Sequence, residues 1–331
     1  MNKQSTESSH KKIIITGLLV SSIFIFLFLK DTNWKTIIEE ITKANIYILS
    51  IALLSKFFGF IFMTERIRTI LRPIYKFQFL DSFTGVAVGF TGNNILPFRI
   101  GELLKTKFFS HKSGARFSKC FPVLIFERLL DATCLMILVF IAVPYLVNAK
   151  FDFIALSLLC SGISVFYICL VLVAKSPSKT KSIANIVINK FPEKLSSRLT
   201  STIHSIIDAI KMIHSPSRLL LALLLSLGYW LTQILSVYIW LIAFNLSLPW
   251  FAPIVVLIFV SLGNFLPSAP SNIGTYHYFL AFALSMLGVN NDTAVSVAII
   301  GHAISIFPFT ILFIPLCLHF ILSHYKNIDE K

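Results

Sequence analysis

Runs of apolar residues, each near the length of a bilayer-crossing helix, constrain this chain more than anything else in it. They cover residues 13–29, 45–63, 121–147, 153–174, 219–244 and 294–322. A helix rises 1.5 Å per residue, so about 20 apolar residues cross the ~30 Å hydrocarbon layer. The chain is 56% hydrophobic and 13% charged, and its mean hydropathy is +0.81. The alternating pattern of a membrane β-barrel is missing, and only closed barrels or helices satisfy the backbone in lipid. The expectation is an all-α polytopic membrane protein with about six full spans. No polar block is large enough for a separate soluble catalytic domain.

Two further apolar segments are interrupted, and the interruptions match. The first reads Gly92-Asn93-Asn94-Ile95-Leu96-Pro97-Phe98-Arg99-Ile100-Gly101-Glu102. The second reads Gly263-Asn264-Phe265-Leu266-Pro267-Ser268-Ala269-Pro270-Ser271-Asn272-Ile273-Gly274-Thr275. Both begin Gly-Asn, reach Leu-Pro, and close with Ile-Gly. Pro and Gly break helices. Corresponding broken segments in two halves of a membrane chain point to a transporter's central site.

Charge gives the expected topology. Basic loops face the cytoplasm, and most of the 29 Lys and Arg fall in segments assigned there, with Lys30, Lys35, Lys43 and Lys150 outside. Both termini, 1–12 and 323–331, are then cytoplasmic tails in a cell (inner or plasma) membrane. The 30–44 stretch reads as a mixed-charge outer loop. The segment with Arg66, Arg68, Arg72 and Lys76 reads as a basic cytoplasmic loop. Residues 13–147 form a first repeat with a cytoplasm-facing re-entrant hairpin at 80–109. Residues 153–322 form a second, with a basic loop at 175–218 and an outward-facing hairpin at 251–287. That layout is an inverted-topology repeat. Within the basic loop, Leu195, Leu199, Ile203, Ile206, Ile207, Ile210 and Ile213 recur at helical spacing. They suit an amphipathic helix, either on the membrane surface or docked on span ends.

Charge inside the bilayer is costly, so ionisable residues there need partners or a polar cavity. Glu127, Arg128 and Asp131 fall within one span, with Glu127 and Asp131 on one helix face. Arg99, Glu102 and Lys105 of the first hairpin are the expected partners. Two readings stay open. The six residues, neutral in sum, form a self-compensating network. Alternatively, Arg99 and Arg128 fork onto an anionic headgroup, with the acids orienting them or exchanging protons. Lys56, mid-span, either locks onto Asp131 or Glu127 or reaches a lipid phosphate. The second hairpin has no formal charge but offers Asn264, Ser268, Ser271, Asn272, Thr275, Tyr276 and His277. These either bind a headgroup or cap broken helix ends. The expected substrate-binding set therefore comprises Asn94, Arg99, Glu102, Lys105, Glu127, Arg128, Asp131, Asn264, Asn272 and Tyr276. Glu127, Asp131 and His302, a histidine deep in an apolar run, are the candidates for proton coupling.

Cys120, Cys134, Cys160, Cys169 and Cys317 fall in or beside apolar runs without a CxxC pair. They read as small buried hydrophobes rather than metal ligands or a disulfide framework. Soluble-enzyme signatures are missing, so no catalytic residue, metal or cofactor is assigned. A net charge of +14 on such a chain suits anionic lipid rather than nucleic acid.

At Asn94 and Pro97-Phe98-Arg99-Ile100-Gly101-Glu102, at Glu127-Arg128-Leu129-Leu130-Asp131, and at Pro267, Pro270 and Asn272-Ile273-Gly274, the chain resembles the lysylphosphatidylglycerol synthase transmembrane family, also called the flippase-like domain family. The resemblance covers roughly residues 13–322. It implies a bacterial or archaeal inner-membrane protein that binds or flips anionic or isoprenoid-linked lipids. The larger lysyl-lipid synthases add a cytosolic aminoacyl-transfer domain, and nothing after the last span here is expected to form one. Ser271-Asn272 stands where relatives tend to carry Gly-Gly, and Thr275 where they often carry an acid. The expected function is a lipid translocase holding a phosphate headgroup between the hairpins, a transporter rather than an enzyme. The alternatives are a membrane transferase with Glu127 or Asp131 as base, and a non-catalytic partner of a separate lipid-modifying enzyme or glycosyltransferase.

Overall fold

The computed structural model describes residues 3–30, 32–96, 99–148, 176–189 and 216–329, with a few isolated positions between 161 and 207. Among the described residues the regular structure is entirely helical. The helices are α1 (Lys3–Leu29), α2 (Trp34–Lys43), α3 (Ile46–Leu71), α4 (Phe79–Ile95), α5 (Ile100–Ser113), α6 (Phe117–Asn148), α7 (Pro177–Ile188), α8 (Pro216–Ala243), α9 (Ala252–Phe265), α10 (Thr275–Met286) and α11 (Asn291–Asp329).

Length and composition sort these helices. α3, α8 and α11 are long and apolar enough to cross a bilayer, and α1 with α2 makes a fourth if that bent pair is one span. The expected span at 153–174 lies outside the described residues, apart from two positions. α4, α5, α9 and α10 hold 17, 14, 14 and 12 residues. At 1.5 Å per residue they reach about 18–26 Å, short of the ~30 Å hydrocarbon layer. Pro and Gly have cut the two matched segments into pairs of short helices.

Two expectations are corrected. The 30–44 stretch is not simply a loop, because Trp34–Lys43 is helical, capped by the Asn33 side chain on the Lys35 N–H. Its charges hid an apolar face whose Ile37 is 1% exposed. Nor is Arg66 on a basic loop. α3 runs on to Leu71, and Thr64, Ile67, Ile70 and Leu71 continue its buried face. Arg66 sits among them, so its charge marked a buried partner rather than the end of the span. Of the amphipathic pattern at 195–213, Leu195, Leu199, Ile203 and Ile207 are described as helical and the rest lies outside the described residues, as do Cys160 and Cys169. Cys120, Cys134 and Cys317 are buried free thiols.

The helices form two compact units. The first comprises Met1–Gly59, Ala87–Leu104 and Leu231–Lys331, and the second Phe60–Val86 and Lys105–Trp230. In the first unit, turns expected on one side of the membrane are tied together. The Asn33 N–H donates to Asp292 Oδ1 at 2.9 Å, and the Asn45 N–H to the Ala243 carbonyl at 3.0 Å. α2 lies along the start of α11, where Ser296 Oγ donates to the carbonyls of Asp292 and Ile37.

Candidate functional site

The interruptions form because their residues cannot continue a helix, and the backbone there is unusual. Arg99 has φ 54°, Ser271 φ 59° and Asn272 φ 54°. A left-handed conformation costs a non-glycine residue about 1–2 kcal/mol, so neighbouring contacts must hold these positions. Gly274, with φ 91°, takes the same region without that cost.

Close helix packing sets the shape of each pair. A Cβ on Gly101 would collide with the Gly89 carbonyl oxygen and the Asn93 nitrogen, and one on Gly92 would lie 2.6 Å from the Gly101 Cα. α4 and α5 are therefore in backbone contact there, a packing that only small residues allow. In the second pair, a Cβ on Gly263 would lie 2.7 Å from the Phe279 ring of α10. Gly92 and Gly263, at the same point of the repeated motif, do the same job.

The two interruptions meet in the first unit. Ser271 Oγ donates to the Asn94 carbonyl at 2.8 Å. α11 pins both. Asn94 Nδ2 donates to Thr310 Oγ1 at 3.0 Å, and His302 Nε2 donates to the Ser271 carbonyl at 2.9 Å. α1 seats the second interruption through Ser21, whose Oγ accepts from the Ala269 N–H at 2.7 Å. Ser268 Oγ donates to Asn272 Oδ1 at 3.0 Å.

Between the interruptions lies a cavity of about 260 Å³, lined by Asn93, Arg99, Asn264, Ser268 and Asn272 together with apolar and backbone atoms. Asn93 Nδ2 donates to Glu102 Oε1 at 3.3 Å. Asn93 Oδ1 and Asn264 Oδ1 are buried without a hydrogen-bond partner. Such orphans are uncommon, because each costs about 1–3 kcal/mol.

The second unit holds a different polar cluster. Arg66 reaches Asp131 Oδ1 at 2.6 Å, Ser226 Oγ at 3.2 Å and Glu127 Oε1 at 3.3 Å. Lys105 Nζ donates to Glu127 Oε2 at 2.8 Å. The side chains of Arg66 and Glu127 are each 1% exposed. The Arg66 guanidinium lies over the Tyr229 ring, 5.8 Å from its centroid. Arg128 Nη1 is 3.4 Å from Asp131 Oδ2, with its side chain 46% exposed.

Over residues 14–312 the sequence matches the family model described as lysylphosphatidylglycerol synthase TM region. The chain belongs to this family. Compared with curated proteins, it matches none. Family membership and the apolar helices make this a membrane protein.

Of the residues expected to form one site in this family member, Arg99, Asn264 and Asn272 line the cavity, and Asn94 and Glu102 hold its wall through the bonds above. Tyr276 is buried, its ring 4.8 Å from that of His302. His302 itself is 3% exposed and anchors Ser271. Lys105, Glu127, Arg128 and Asp131 belong to the second unit's cluster, where Arg66 is the partner the sequence reading missed. Lys56 meets neither acid but Gln233 Oε1, at 2.6 Å, and the face of Trp240. Ser21 and Thr310 were also missed. A single hydroxyl in an apolar helix carries no signal of its own.

Proposed function

We propose that the protein is an integral-membrane lipid translocase. It takes the phosphate headgroup of an anionic phospholipid or polyprenyl-phosphate-linked lipid into the cavity where the two interruptions meet. The single observation behind this reading is that both copies of the repeated motif wall one polar cavity, with Arg99 the cationic residue in its lining. A guanidinium suits a phosphate fork.

On this reading α4–α5 and α9–α10 are re-entrant hairpins of an inverted repeat, opening to opposite faces. Their short helices agree with that geometry, because none spans the bilayer alone. The hydrogen bonds joining Asn33 to Asp292 and Asn45 to Ala243 support a reading in which these turns share the outer side, with basic loops facing inward. Both termini are then cytoplasmic in an inner or plasma membrane. Access to the cavity alternates between faces as the lipid tails stay in the bilayer. The transferase alternative loses ground, because both candidate bases are held by cations: Glu127 is buried between Arg66 and Lys105, and Asp131 is paired with Arg66 at 2.6 Å.

The test is a proteoliposome assay with fluorescent phosphatidylglycerol and membrane-impermeant dithionite. The chain is expected to raise the quenchable fraction above one leaflet's share, and Arg99→Ala to lower the rate at least tenfold while eluting as a folded protein. A rate that is unchanged in the variant, or no faster than protein-free vesicles, overturns the reading. A chemically altered lipid in the same vesicles, seen by mass spectrometry, would favour a transferase instead.

A further inference from the structure

Two histidines fasten the second interruption, and neither lines the cavity. His277 stands on α10 and His302 on α11, with ring centroids 4.3 Å apart. Phe28 of α1 lies 5.3 Å from the His277 ring, and Tyr276 4.8 Å from the His302 ring. Each histidine commits one nitrogen to the backbone of the interruption. A carbonyl only accepts, so the bond from His302 Nε2 to Ser271 needs a proton on that nitrogen. A backbone N–H only donates, so the bond from Gly274 to His277 Nδ1, at 3.4 Å, needs a lone pair there. This second bond caps α10 from the place where a capping box carries Glu or Gln. An imidazolium has no acceptor nitrogen, so only neutral His277 can cap. The backbone held in this way is the left-handed stretch of Ser271, Asn272 and Gly274. α1 sits hard against it, because a Cβ on Gly274 would lie 2.6 Å from the Ser21 carbonyl oxygen.

We infer that His277 and His302 form a proton-sensitive latch on the second interruption, closed while both rings are neutral and released when the pair takes up a proton. A proton on His277 fills the lone pair that Gly274 uses and sets N–H against N–H. A proton on His302 keeps the bond to Ser271 but buries a charge, which is costly without a partner of opposite sign. The elements touching the pair offer none. α1 between Ile13 and Leu29, the interruption itself, α9 and α10 contain no Asp, Glu, Lys or Arg, and α11 contains none between Asp292 and Lys326. The nearest charges on other elements have the wrong sign or lie at the turns. Lys56 of α3 sits over the Trp240 ring, on which Gly301 packs, and Arg99 lines the cavity with Asn272. Lys35, Glu39, Glu40 and Lys43 belong to α2, which meets α11 at Ser296, about 9 Å along the helix from His302. Tyr276, the remaining titratable neighbour, is a neutral phenol at these pH values. Once water reaches the rings, imidazole takes a proton near its ordinary value of about 6.5. Above that pH the latch is indifferent to protons. Below it, the ratio of released to closed forms rises by up to about tenfold per pH unit for one proton. The latch acts on the backbone that walls the cavity whatever the cavity binds, so it does not rest on the translocase reading.

The test is hydrogen–deuterium exchange by mass spectrometry on the full chain in phosphatidylcholine vesicles, with no ligand added, at pH 7.5 and pH 5.5. Peptides over 266–278 carry the Gly274 amide. Peptides of α8 in the same sample are the reference, because acid slows the chemistry of exchange alike in both. Relative to α8, exchange over 266–278 should rise severalfold at pH 5.5, towards the tenfold of one proton over one pH unit. His277→Asn keeps an acceptor near the place of Nδ1, and His302→Gln keeps a donor near the place of Nε2. Neither replacement takes up a proton in this range. The double variant should therefore match the parent at pH 7.5 and show no rise at pH 5.5. A parent without the rise overturns the latch, and so does a double variant that rises as the parent does. If the double variant fails to fold or is already loose at pH 7.5, the parent decides. A rise confined to 266–278 supports the latch, and an equal rise in all helices is general loosening by acid and overturns it. No lipid movement is measured, so the translocase reading stands or falls separately.

Discussion

The two polar clusters of this protein are built to opposite ends. In the second unit, Arg66 and Lys105 face Glu127 and Asp131, cations matching anions, and the central pair is shut away from solvent. In the first unit, the cavity lining has one cation and neutral amides, two of whose oxygens lack a hydrogen-bond partner, and two of its residues, Arg99 and Asn272, hold left-handed backbone beside a third, Ser271. A cluster whose charges match one another holds a fold together, even with Arg66 Nε buried without a partner. One that leaves groups unsatisfied and backbone strained carries a cost that a ligand can relieve. Sequence reasoning merged the two clusters because charge inside the bilayer and broken helices were both taken as marks of one central site.

The comparison breaks most visibly at Arg66. Arg66→Leu leaves Asp131 without its nearest counter-charge and Glu127 with Lys105 alone. Removing one partner of a buried pair typically costs about 3–5 kcal/mol. The variant should lose its monodisperse elution in detergent or melt far below the parent. Arg66→Leu with Asp131→Leu keeps Lys105 against Glu127, so most of that loss should return. If the single variant is as stable as the parent, the cluster is not structural and the contrast with the cavity collapses.

Arg66 also shows where the sequence stopped being legible. The buried acids were evident, since Glu127 and Asp131 stand in an apolar run. Their partner was not, because Arg66 precedes Arg68 and Arg72 and was counted with the basic loop that follows. Periodicity could have separated it, since Thr64, Ile67 and Leu71 carry the buried face past it. The same weighting of charge over period hid α2, where Trp34, Ile37, Ile38 and Ile41 recur at helical spacing among Lys and Glu. The interruptions were legible for a local reason: Pro and Gly act on the backbone wherever they stand. That the two interruptions touch depends on packing by α1 and α11, which no local pattern encodes.

Glycine contacts give a smaller effect and sharpen the comparison from the cavity's side. Gly101→Ala puts a methyl group against the α4 backbone at Gly89 and Asn93. Such overpacking typically costs about 1–3 kcal/mol, and here it also pushes Asn93 at the cavity wall. Thermal stability should drop moderately and transport should drop with it. Gly114→Ala is the control. Its added Cβ meets nothing within 4 Å, and only the positive φ of 67° resists it, for about 1–2 kcal/mol. It should lose stability without the transport defect. Equal transport in the two variants would mean that the close approach of α4 and α5 does not shape the cavity.

The smallest effect lies at Ser271 and measures strain directly. Ser271 combines a left-handed φ of 59° with the hydrogen bond to the Asn94 carbonyl that joins the two interruptions. Ser271→Ala removes the bond and keeps the strain, whereas Ser271→Gly removes both. Losing the bond costs about 0.5–1.5 kcal/mol, and relieving the strain returns about 1–2 kcal/mol less the entropy of a more flexible unfolded chain. Ser271→Gly should therefore be about 1 kcal/mol more stable than Ser271→Ala in a melting comparison, and close to the parent. Both variants lose the link between interruptions, so both should transport more slowly than the parent by a similar factor. If Gly and Ala are equally stable, position 271 carries no strain, and the contrast between a charge-matched cluster and a strained one rests on Arg99 and Asn272 alone.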